Sequence, residues 1–365
     1  MKVLHLNLTV FSNKGGIEQV AKNWMYSFSE LQKSKRVNYK AFALYDYNYD
    51  SKYIQKNHFK FFKGNKVYFG ITTLFSSLNK DVLILSHLHL SLFALLAKLL
   101  NPKLKIWVQL HGIEAWDVKS RIQILALRIS DKIFPVSNFT KEKVLKKFPD
   151  LDSKIEIIQN TLDPYHSSSI TEDKISSSRT KLKIEDEIFA LISVGRMRSD
   201  EAYKGYDRVI EALSQMNTKN IKYYLIGKTD EIELNRINKL VKQYKLENVV
   251  EVIGFVNDVE LTEYYYASNL LVMPSVGEGF GLVFIDSMAN GLPVIAGNQD
   301  GSVDALKNSK LSVSINPYNI QDIKTAINQA MQNPSSISDR IEMANYYSKI
   351  YNASVLSDQL SNMCI

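Results

Sequence analysis

Short apolar runs alternate with amphipathic stretches along the whole chain, and this alternation most constrains the fold. The pattern is typical of parallel α/β architecture, in which buried strands are followed by helices. Strands are predicted in the first half at residues 3–8, 39–44, 81–85, 105–110, 132–136 and 155–158, and in the second half at 188–194, 223–226, 249–253, 270–273 and 293–296. Each half therefore predicts one doubly wound domain, and 365 residues suffice for two.

The segment between the two halves is rich in serine and charge, which is linker composition. The tail spaces Tyr346, Tyr347, Ile350 and Tyr351 for a helix face and predicts a helix that crosses back to the first domain. The predicted boundaries are a first domain over 1–165, a linker over 166–186, a second domain over 187–343 and a crossover helix over 344–365.

Cysteine content and hydropathy narrow the class of protein. The one cysteine, Cys364, excludes a disulfide framework and a cysteine-based metal site, and indicates a reducing compartment. The longest near-apolar run, 90–100, contains Lys98 and is about half the length that a membrane span needs. The N-terminus lacks a signal-peptide core and a cleavage pattern. We therefore expect a cytoplasmic protein.

The positive charge belongs to one half of the chain. Residues 1–160 hold 25 Lys/Arg and 12 Asp/Glu, a net charge of +13, whereas the remainder has a net charge of −6. A basic half implies an anionic partner such as phosphate, nucleic acid or an acidic membrane surface.

Glycines follow the first predicted strand, but not in the spacing of a dinucleotide-binding fingerprint. Gly15 and Gly16 stand where G-x-G-x-x-G is expected, and an amphipathic helix follows them. A glycine pair at a helix N-terminus suits an anion or close approach of a ligand. A plain flexible turn explains the pair equally well.

Two cations flank the loop that follows the first strand of the second half. Gly195 and Arg196 end this strand, and Lys204 with Gly205 closes the loop before a helix. Ligands of open α/β sheets bind beyond the carboxyl ends of strands, so the pair suits a diphosphate. The alternative is that both are ordinary surface cations.

The segment 273–302 is dense in glycine around a predicted helix start. The backbone amides of Gly279, Phe280 and Gly281 are positioned to face a phosphate, and Glu278 and Asp286 can accept hydrogen bonds from sugar hydroxyls. Asp286 is expected about two turns inside the helix, which Gly291 caps at its C-terminus. The alternatives are a helix-start acid for Glu278 and a solvated face for Asp286.

Taken together and in this order, the motifs resemble the retaining glycosyltransferases of family 4. The residues that carry the resemblance, over essentially the whole chain, are the early Gly-Gly, L-H-G at 110–112, the G-R…K-G loop, and E-G-F-G-L-V-F-I-D followed by G-L-P-V-I-A. The resemblance implies a GT-B fold, with two Rossmann-like domains facing a central cleft, and transfer of a sugar from a nucleotide donor with retention.

The resemblance assigns roles residue by residue. It implies that Arg196 and Lys204 hold the donor diphosphate, that Glu278 binds sugar hydroxyls, and that His111 lies beside the donor sugar; these four are the predicted catalytic residues. The predicted donor-binding set adds Gly15, Gly16, Gly195, Phe255, Val256, Gly279, Phe280, Gly281, Leu282 and Asp286, with Phe255 and Val256 flanking the base.

Two positions depart from the family's pattern. Asp286 stands where the family has a ribose-binding glutamate, and Val303-Asp304 stands where it commonly has Pro-Glu. The first change leaves open the ribose geometry and the choice of nucleotide, although UDP is the commoner expectation over GDP.

The expected chemistry is front-side displacement, in which the leaving diphosphate accepts the proton of the acceptor hydroxyl. No D-x-D pair appears at a strand end, and Asp46 and Asp50 are expected in a solvated turn, so we expect no metal and no other cofactor. A glycan or a lipid-pyrophosphate-linked saccharide is the expected acceptor, as in polysaccharide or lipopolysaccharide synthesis, and nucleic acid is not an expected partner.

The basic first half also suits peripheral attachment to the inner face of the cell membrane. Residues 119–148 alternate lysine and arginine with apolar side chains, and residues 90–100 are apolar apart from Lys98 and Ser91. Both segments could contact a membrane, although buried helices of α/β proteins have the same composition. Two other functions stay open, a non-catalytic partner that binds nucleotide sugar and a GT-B nucleotide-sugar epimerase. A phosphorylase is excluded by the lack of a recognisable lysine site for pyridoxal phosphate.

Overall fold

The computed structural model describes residues 1–167, 169–307 and 309–364. Residues 168, 308 and 365, which fall inside the predicted linker, second domain and tail, lie outside the described residues. The chain forms two compact units, one of Met1–His166 with Tyr351–Ile365 and the other of Ser167–Ile350. Over the described residues, no helix is both long and apolar enough to cross a membrane.

The first unit is built on a parallel six-stranded sheet with the strand order β3-β2-β1-β4-β5-β6. Its strands are β1 (Lys2–Asn7), β2 (Asn38–Ala43), β3 (Phe59–Phe61), β4 (Val82–Leu85), β5 (Lys105–Leu110) and β6 (Lys132–Pro135). Its helices up to residue 147 are α1 (Gly16–Lys33), α2 (Lys66–Ser77), α3 (Ser91–Leu100), α4 (Ile113–Trp116), α5 (Arg121–Ile129) and α6 (Asn138–Lys147).

The second unit repeats this plan, with the strand order β12-β11-β10-β7-β8-β9. Its strands are β7 (Phe189–Val194), β8 (Ile221–Ile226), β9 (Val250–Gly254), β10 (Leu270–Met273), β11 (Val294–Gly297) and β12 (Ser312–Ile315). Its helices are α7 (Glu172–Lys181), α8 (Tyr206–Ser214), α9 (Glu231–Gln243), α10 (Asp258–Ala267), α11 (Leu282–Ala289), α12 (Ser302–Leu306), α13 (Ile320–Gln332) and α14 (Ile337–Ile350). The last helix of the chain, α15 (Ala353–Met363), belongs to the first unit.

Both sheets are doubly wound, which confirms the predicted fold class. The winding reverses between β1 and β4 in the first sheet and between β7 and β10 in the second. Ligands of open α/β sheets bind beyond the carboxyl ends of strands at such a reversal. A ligand of the second unit is therefore expected at the loops that follow β7 and β10.

The structure differs from the sequence prediction at three strands and at the two ends of the second unit. Strands β3 and β12 were not predicted. The predicted strand at 155–158 is reduced to an isolated bridge between Ile133 and Ile155. The predicted linker contains α7, whose Arg179 is 7% exposed and donates to the carbonyl of Ala267 at 2.8 Å. A serine-rich helix packs here because a buried arginine satisfies the carbonyls of its neighbours.

The tail forms two helices where one was predicted. Helix α14 stays in the second unit, whereas α15 packs against α1 in the first. In the first unit Arg36 donates to the hydroxyl of Ser361 at 2.5 Å, which ties the end of α15 to the segment after α1. The last helix thus returns to the first unit, as expected of a crossover helix.

Candidate active site

The loop after β7 holds the two predicted cations, and an acid that the sequence analysis did not single out joins them. Arg196 Nη2 lies 2.7 Å from Glu201 Oε1, and the Lys204 Nζ lies 3.9 Å from Glu201 Oε2. The Arg196 side chain is half-exposed, whereas those of Glu201 and Lys204 are nearly buried. Glu201 therefore bridges the two cations.

The second predicted cation also contacts the loop after β10. Lys204 Nζ donates to Glu278 Oε1 at 3.1 Å, and the two side chains are 11% and 17% exposed. Arg196, Glu201, Lys204 and Glu278 thus form one continuous run of alternating charge, hereafter the charge run. The structure brings together three of the four residues predicted to be catalytic.

The ammonium of Lys204 stays charged in spite of its burial. Burial lowers the pKa of Lys204, but Glu278, Tyr203 and Glu201 together outweigh burial, so that the pKa lies above the usual lysine range. The ammonium also lies 4.9 Å from the ring centroid of Tyr203. Lys204 is therefore a fixed positive charge at the carboxyl end of the sheet.

A glycine allows the two loops to approach this closely. Gly205 has φ = +80°, and a Cβ there would lie 2.3 Å from the carbonyl oxygen of Pro274, directly after β10. Arg208 donates to the same oxygen at 2.7 Å. A side chain at 205 would push the Lys204 loop away from the loop that holds Glu278.

A buried carboxylate that the sequence analysis did not identify holds the Glu278 loop. Asp300 is 1% exposed and accepts hydrogen bonds at 2.8 Å from the Glu278 amide and the Ser275 hydroxyl, and at 2.9 Å from the Ser302 amide. Burial raises the pKa of Asp300, and these hydrogen bonds oppose that rise. The spacing D-G-S, in which an aspartate can accept from the amide two residues on, was the signal in the sequence.

The glycine-rich segment ends at the N-terminus of α11. Gly281 precedes the helix with φ = +84°, Phe280 is 1% exposed, and Leu282 is the first helical residue. Asp286 lies about one turn inside α11, not two as predicted, because the helix begins only at residue 282. Gly291, at φ = +74°, follows the helix end as predicted.

The residues predicted to flank the base lie at the end of β9. Gly254 has φ = +80° with open space where a Cβ would stand, Phe255 is 60% exposed and Val256 is half-buried. An exposed aromatic ring beside a glycine offers a stacking surface at the same edge of the sheet as the Lys204 loop. The Gly227 amide donates to the Gly254 carbonyl at 2.7 Å, which connects the ends of β8 and β9.

His111 lies in the first unit, directly after β5. Its Nε2 lies 2.7 Å from the carbonyl oxygen of Ser86, so Nε2 carries the proton, because a carbonyl only accepts. Its backbone amide donates to Glu114 Oε1 at 2.5 Å. Burial, and then the neighbouring His111, lower the pKa of His87 and of His5 to about 3. His111 therefore stands among histidines that stay neutral, and its role beside a donor sugar stays a prediction.

The loop between β1 and α1 is held by Asp46, which corrects the expectation of a solvated turn. Asp46 is fully buried and accepts from the amides of Val10 (2.9 Å), Phe11 (3.2 Å) and Ser12 (2.9 Å). The loop leads to Gly15, which precedes α1 with extended backbone, and to Gly16, the first helical residue. Asp46 is thus the anchor of the segment that carries the predicted glycine pair.

Among residues 1–167, 169–307 and 309–364, no group of three or more His, Cys, Asp or Glu side chains is placed to hold a metal ion.

One family model matches the chain, and the matched residues lie in the second unit. Residues 174–349 match the family described as Glycosyl transferases group 1. An uncharacterized glycosyltransferase of Methanocaldococcus jannaschii is 26% identical over 225 residues, which are 60% of this chain and 56% of that protein. An uncharacterized glycosyltransferase of Haemophilus influenzae is 28% identical over 281 residues, 74% of this chain and 73% of that protein.

The name of a third relative states the pathway in which it acts. The O-antigen biosynthesis glycosyltransferase WclY of Escherichia coli is 29% identical over 209 residues, 55% of this chain and 56% of that protein. The chain thus spans little more than half of the length of two of these three relatives.

HepE from Anabaena, solved in complex with UDP, has a fold similar to that of the whole chain. Its TM-score is 0.81 at 17% identity, and the match covers 100% of this chain and 99% of that one. At this identity the likeness shows the fold, which is the predicted GT-B fold. The charge run lies within residues 174–349, the part of the chain that matches the group 1 family model.

Proposed function

We propose that the chain is a retaining glycosyltransferase of family 4, which transfers a sugar from a nucleotide-sugar donor to a hydroxyl of a glycan or of a lipid-pyrophosphate-linked saccharide. The observation that carries the proposal is the charge run at the carboxyl ends of β7 and β10. It supplies two cations, one of them nearly buried, and a carboxylate within hydrogen-bond distance of that cation.

The charge run suits a donor with a diphosphate and a sugar. Arg196 offers a bidentate fork and Lys204 a point charge to the phosphate oxygens, in competition with the carboxylates that hold them now. Glu278, released from part of its pairing, accepts hydrogen bonds from sugar hydroxyls. Amides at the start of α11 add the positive end of a helix dipole.

The same groups act on the leaving group. As the bond between the anomeric carbon and the phosphate oxygen breaks, negative charge grows on the diphosphate, and Arg196 and Lys204 stabilise it. The diphosphate then accepts the proton of the attacking acceptor hydroxyl, on the face from which it leaves. We propose that this reaction needs no metal and no further cofactor.

The comparisons support parts of the donor and acceptor choice. HepE was solved with UDP, which supports testing UDP-sugars before GDP-sugars. WclY is named for O-antigen biosynthesis, which supports a glycan acceptor. We propose a cytoplasmic protein that acts at the inner face of the cell membrane.

The test is a panel of UDP- and GDP-sugars, offered with and without oligosaccharide or lipid-linked acceptors in excess chelator. We expect one donor to yield a product with the donor's anomeric configuration, read by NMR. An inverted product contradicts retention, and activity that chelator abolishes and a divalent ion restores contradicts metal independence. Donor binding without transfer or hydrolysis favours the non-catalytic alternative, and an epimerised nucleotide sugar favours the epimerase.

A further inference from the structure

Three neighbouring helices of the first unit expose large apolar side chains on a common surface. Helix α3 packs against both α2 and α5. Eleven exposed side chains form what we term the apolar face: Val67, Tyr68, Ile71, Phe75 and Leu78 on α2 and its C-cap, Leu92, Leu96, Leu99 and Leu100 on α3, and Ile122 and Leu125 on α5.

The spacing of these residues shows that the apolar face is separate from the core. On α2, Val67, Ile71 and Phe75 recur every four residues, while the buried positions are 69, 73 and 77. On α3, Leu92, Leu96 and Leu99 point outward, while the buried positions are 91, 94 and 97. The side chains of Phe75 and Leu99 are 72% and 77% exposed. A contiguous surface of this kind marks an interaction site.

The charged residues on the three helices of the apolar face are all basic, and two of them, Lys98 and Arg128, pair with Asp131 at 3.9 Å and with Asp150 at 3.5 Å. Helices α2, α3 and α5 contain Lys66, Lys98, Arg121 and Arg128 and no acidic residue. No acidic residue occurs between Asp50 and Asp81, a stretch with six lysines. The cations Lys63, Lys66, Lys103 and Arg121 are exposed and lie on these helices or within three residues of their ends, so they add positive charge beside the apolar face.

We infer that the apolar face docks the protein on an anionic lipid bilayer, with its side chains in the headgroup region and its cations on acidic lipids. Apolar contact ringed by lysine and arginine is the combination that binds such interfaces. A second copy of the chain fits less well, because its own positive rim would meet this one. The inference deepens the proposed function and rests on it in one respect, namely that a lipid-linked acceptor is presented at this surface. Helix α2, which was not predicted to take part, contributes five of the eleven side chains together with its C-cap residue Leu78.

The test is cosedimentation of the full chain with phosphatidylcholine vesicles and with vesicles that also contain phosphatidylglycerol. We expect binding that rises with the anionic lipid fraction and falls as salt increases. Phe75→Ser and Leu99→Ser should each weaken binding about tenfold or more, and Lys66→Glu and Arg121→Glu by at least about fivefold each. The matched controls are Ile232→Ser and Lys239→Glu on α9 of the second unit, which should bind like the wild type; Ile232 is 71% exposed.

Three outcomes would overturn the inference: no binding at low salt, equal binding to neutral and anionic vesicles, or a dimer in solution that Phe75→Ser dissociates. Unchanged thermal midpoints of the variants exclude misfolding as the cause of lost binding. Binding of UDP by wild type and Phe75→Ser, measured without vesicles, separates this inference from the proposed function. If vesicle binding fails and UDP binding persists, only the docking surface is refuted.

Discussion

The backbone amide of Glu278 donates a hydrogen bond to the carboxylate of Asp300 at 2.8 Å. In the opposite direction, the amide of Gly301 donates to the carbonyl of Glu278, also at 2.8 Å. The loops after β10 and β11 are therefore joined on both sides of Glu278, and a Cβ at Gly301 would lie 2.0 Å from the Gly279 carbonyl oxygen. By holding the backbone of Glu278, Asp300 fixes the position from which the Glu278 carboxylate extends, so Asp300 is a positioning residue.

We predict that Asp300→Asn lowers turnover about tenfold and leaves UDP affinity within about threefold. The side-chain NH2 of an asparagine cannot accept the hydrogen bonds that the Asp300 carboxylate now accepts. A lost hydrogen bond to a charged group costs about 1.5 to 3 kcal/mol. The measurement is kcat with the identified donor, together with calorimetry of UDP.

A double-mutant cycle separates positioning from general destabilisation. If Asp300 acts through Glu278, Asp300→Asn should have little further effect on turnover in a Glu278→Gln background. Additive losses would show that Asp300 only stabilises the fold.

We predict that Glu278→Gln and Asp286→Ala affect different parts of the donor, the sugar and the nucleotide. Glu278→Gln keeps the shape but removes the charge that sugar hydroxyls would meet, so transfer should fall about tenfold while UDP still binds. Asp286→Ala should instead weaken UDP itself, because this residue takes the predicted ribose position. Calorimetry with UDP and with the UDP-sugar decides, and equal losses of UDP affinity in both variants would refute the division of roles. Glu231→Gln, an exposed acid on α9, is the control.

We predict that Asp46→Ala loosens the loop before α1. Three backbone amides lose their acceptor, and each buried unsatisfied donor costs about 1 to 3 kcal/mol. Hydrogen exchange at residues 10–12 should speed up by at least tenfold, whereas Asp50→Ala, at the end of the same turn, should leave it unchanged. Equal protection in Asp46→Ala and wild type would show that the carboxylate does not hold the loop.

We predict that acid weakens the fold through His5 and His87. The pKa of each is lowered from 6.5 to about 3, so below pH 6.5 the unfolded chain binds protons that the native chain does not. Unfolding free energy therefore falls as pH falls, by at most about 1.4 kcal/mol per pH unit for each histidine. The measurement is the urea midpoint between pH 7 and pH 5. His5→Gln should flatten this dependence, and an unchanged slope in this variant would contradict the prediction.

The periodicity of the sequence predicts the central strands well and the edges poorly. Buried parallel strands such as β7 and β10 are continuous apolar runs because helices cover both faces of the sheet. The edge strands β3 and β12 were missed because β3 has only three residues and β12 alternates serine with apolar side chains. The helix α7 was missed because it buries an arginine and one serine, Arg179 and Ser178, in place of an apolar stripe.

The motifs predict the cations and Glu278 but not the groups that position them. Arg196 and Lys204 stand beside glycines at a strand end, which is visible in the sequence. Glu201 and Asp300 reach the same place only through the loop conformations after β7 and β11; the spacing D-G-S indicates a turn at Asp300 but not its contact with the Glu278 amide. Asp46 was misjudged for the same reason, because its three partners lie over thirty residues away in sequence.

The central claim is that the charge run binds a nucleotide diphosphate. Calorimetric titration tests it most directly, with UDP and the donor identified in the panel as ligands. The proteins to compare are the wild type, Lys204→Ala, Arg196→Ala and the exposed control Lys239→Ala. Each charge-assisted contact is worth about 1.5 to 3 kcal/mol, so affinity should fall about tenfold to a hundredfold in the first two variants and stay unchanged in the control. Transfer should fall in turnover as well, because both charges act on the leaving group. Wild-type affinity and wild-type turnover in both Lys204→Ala and Arg196→Ala would contradict the account.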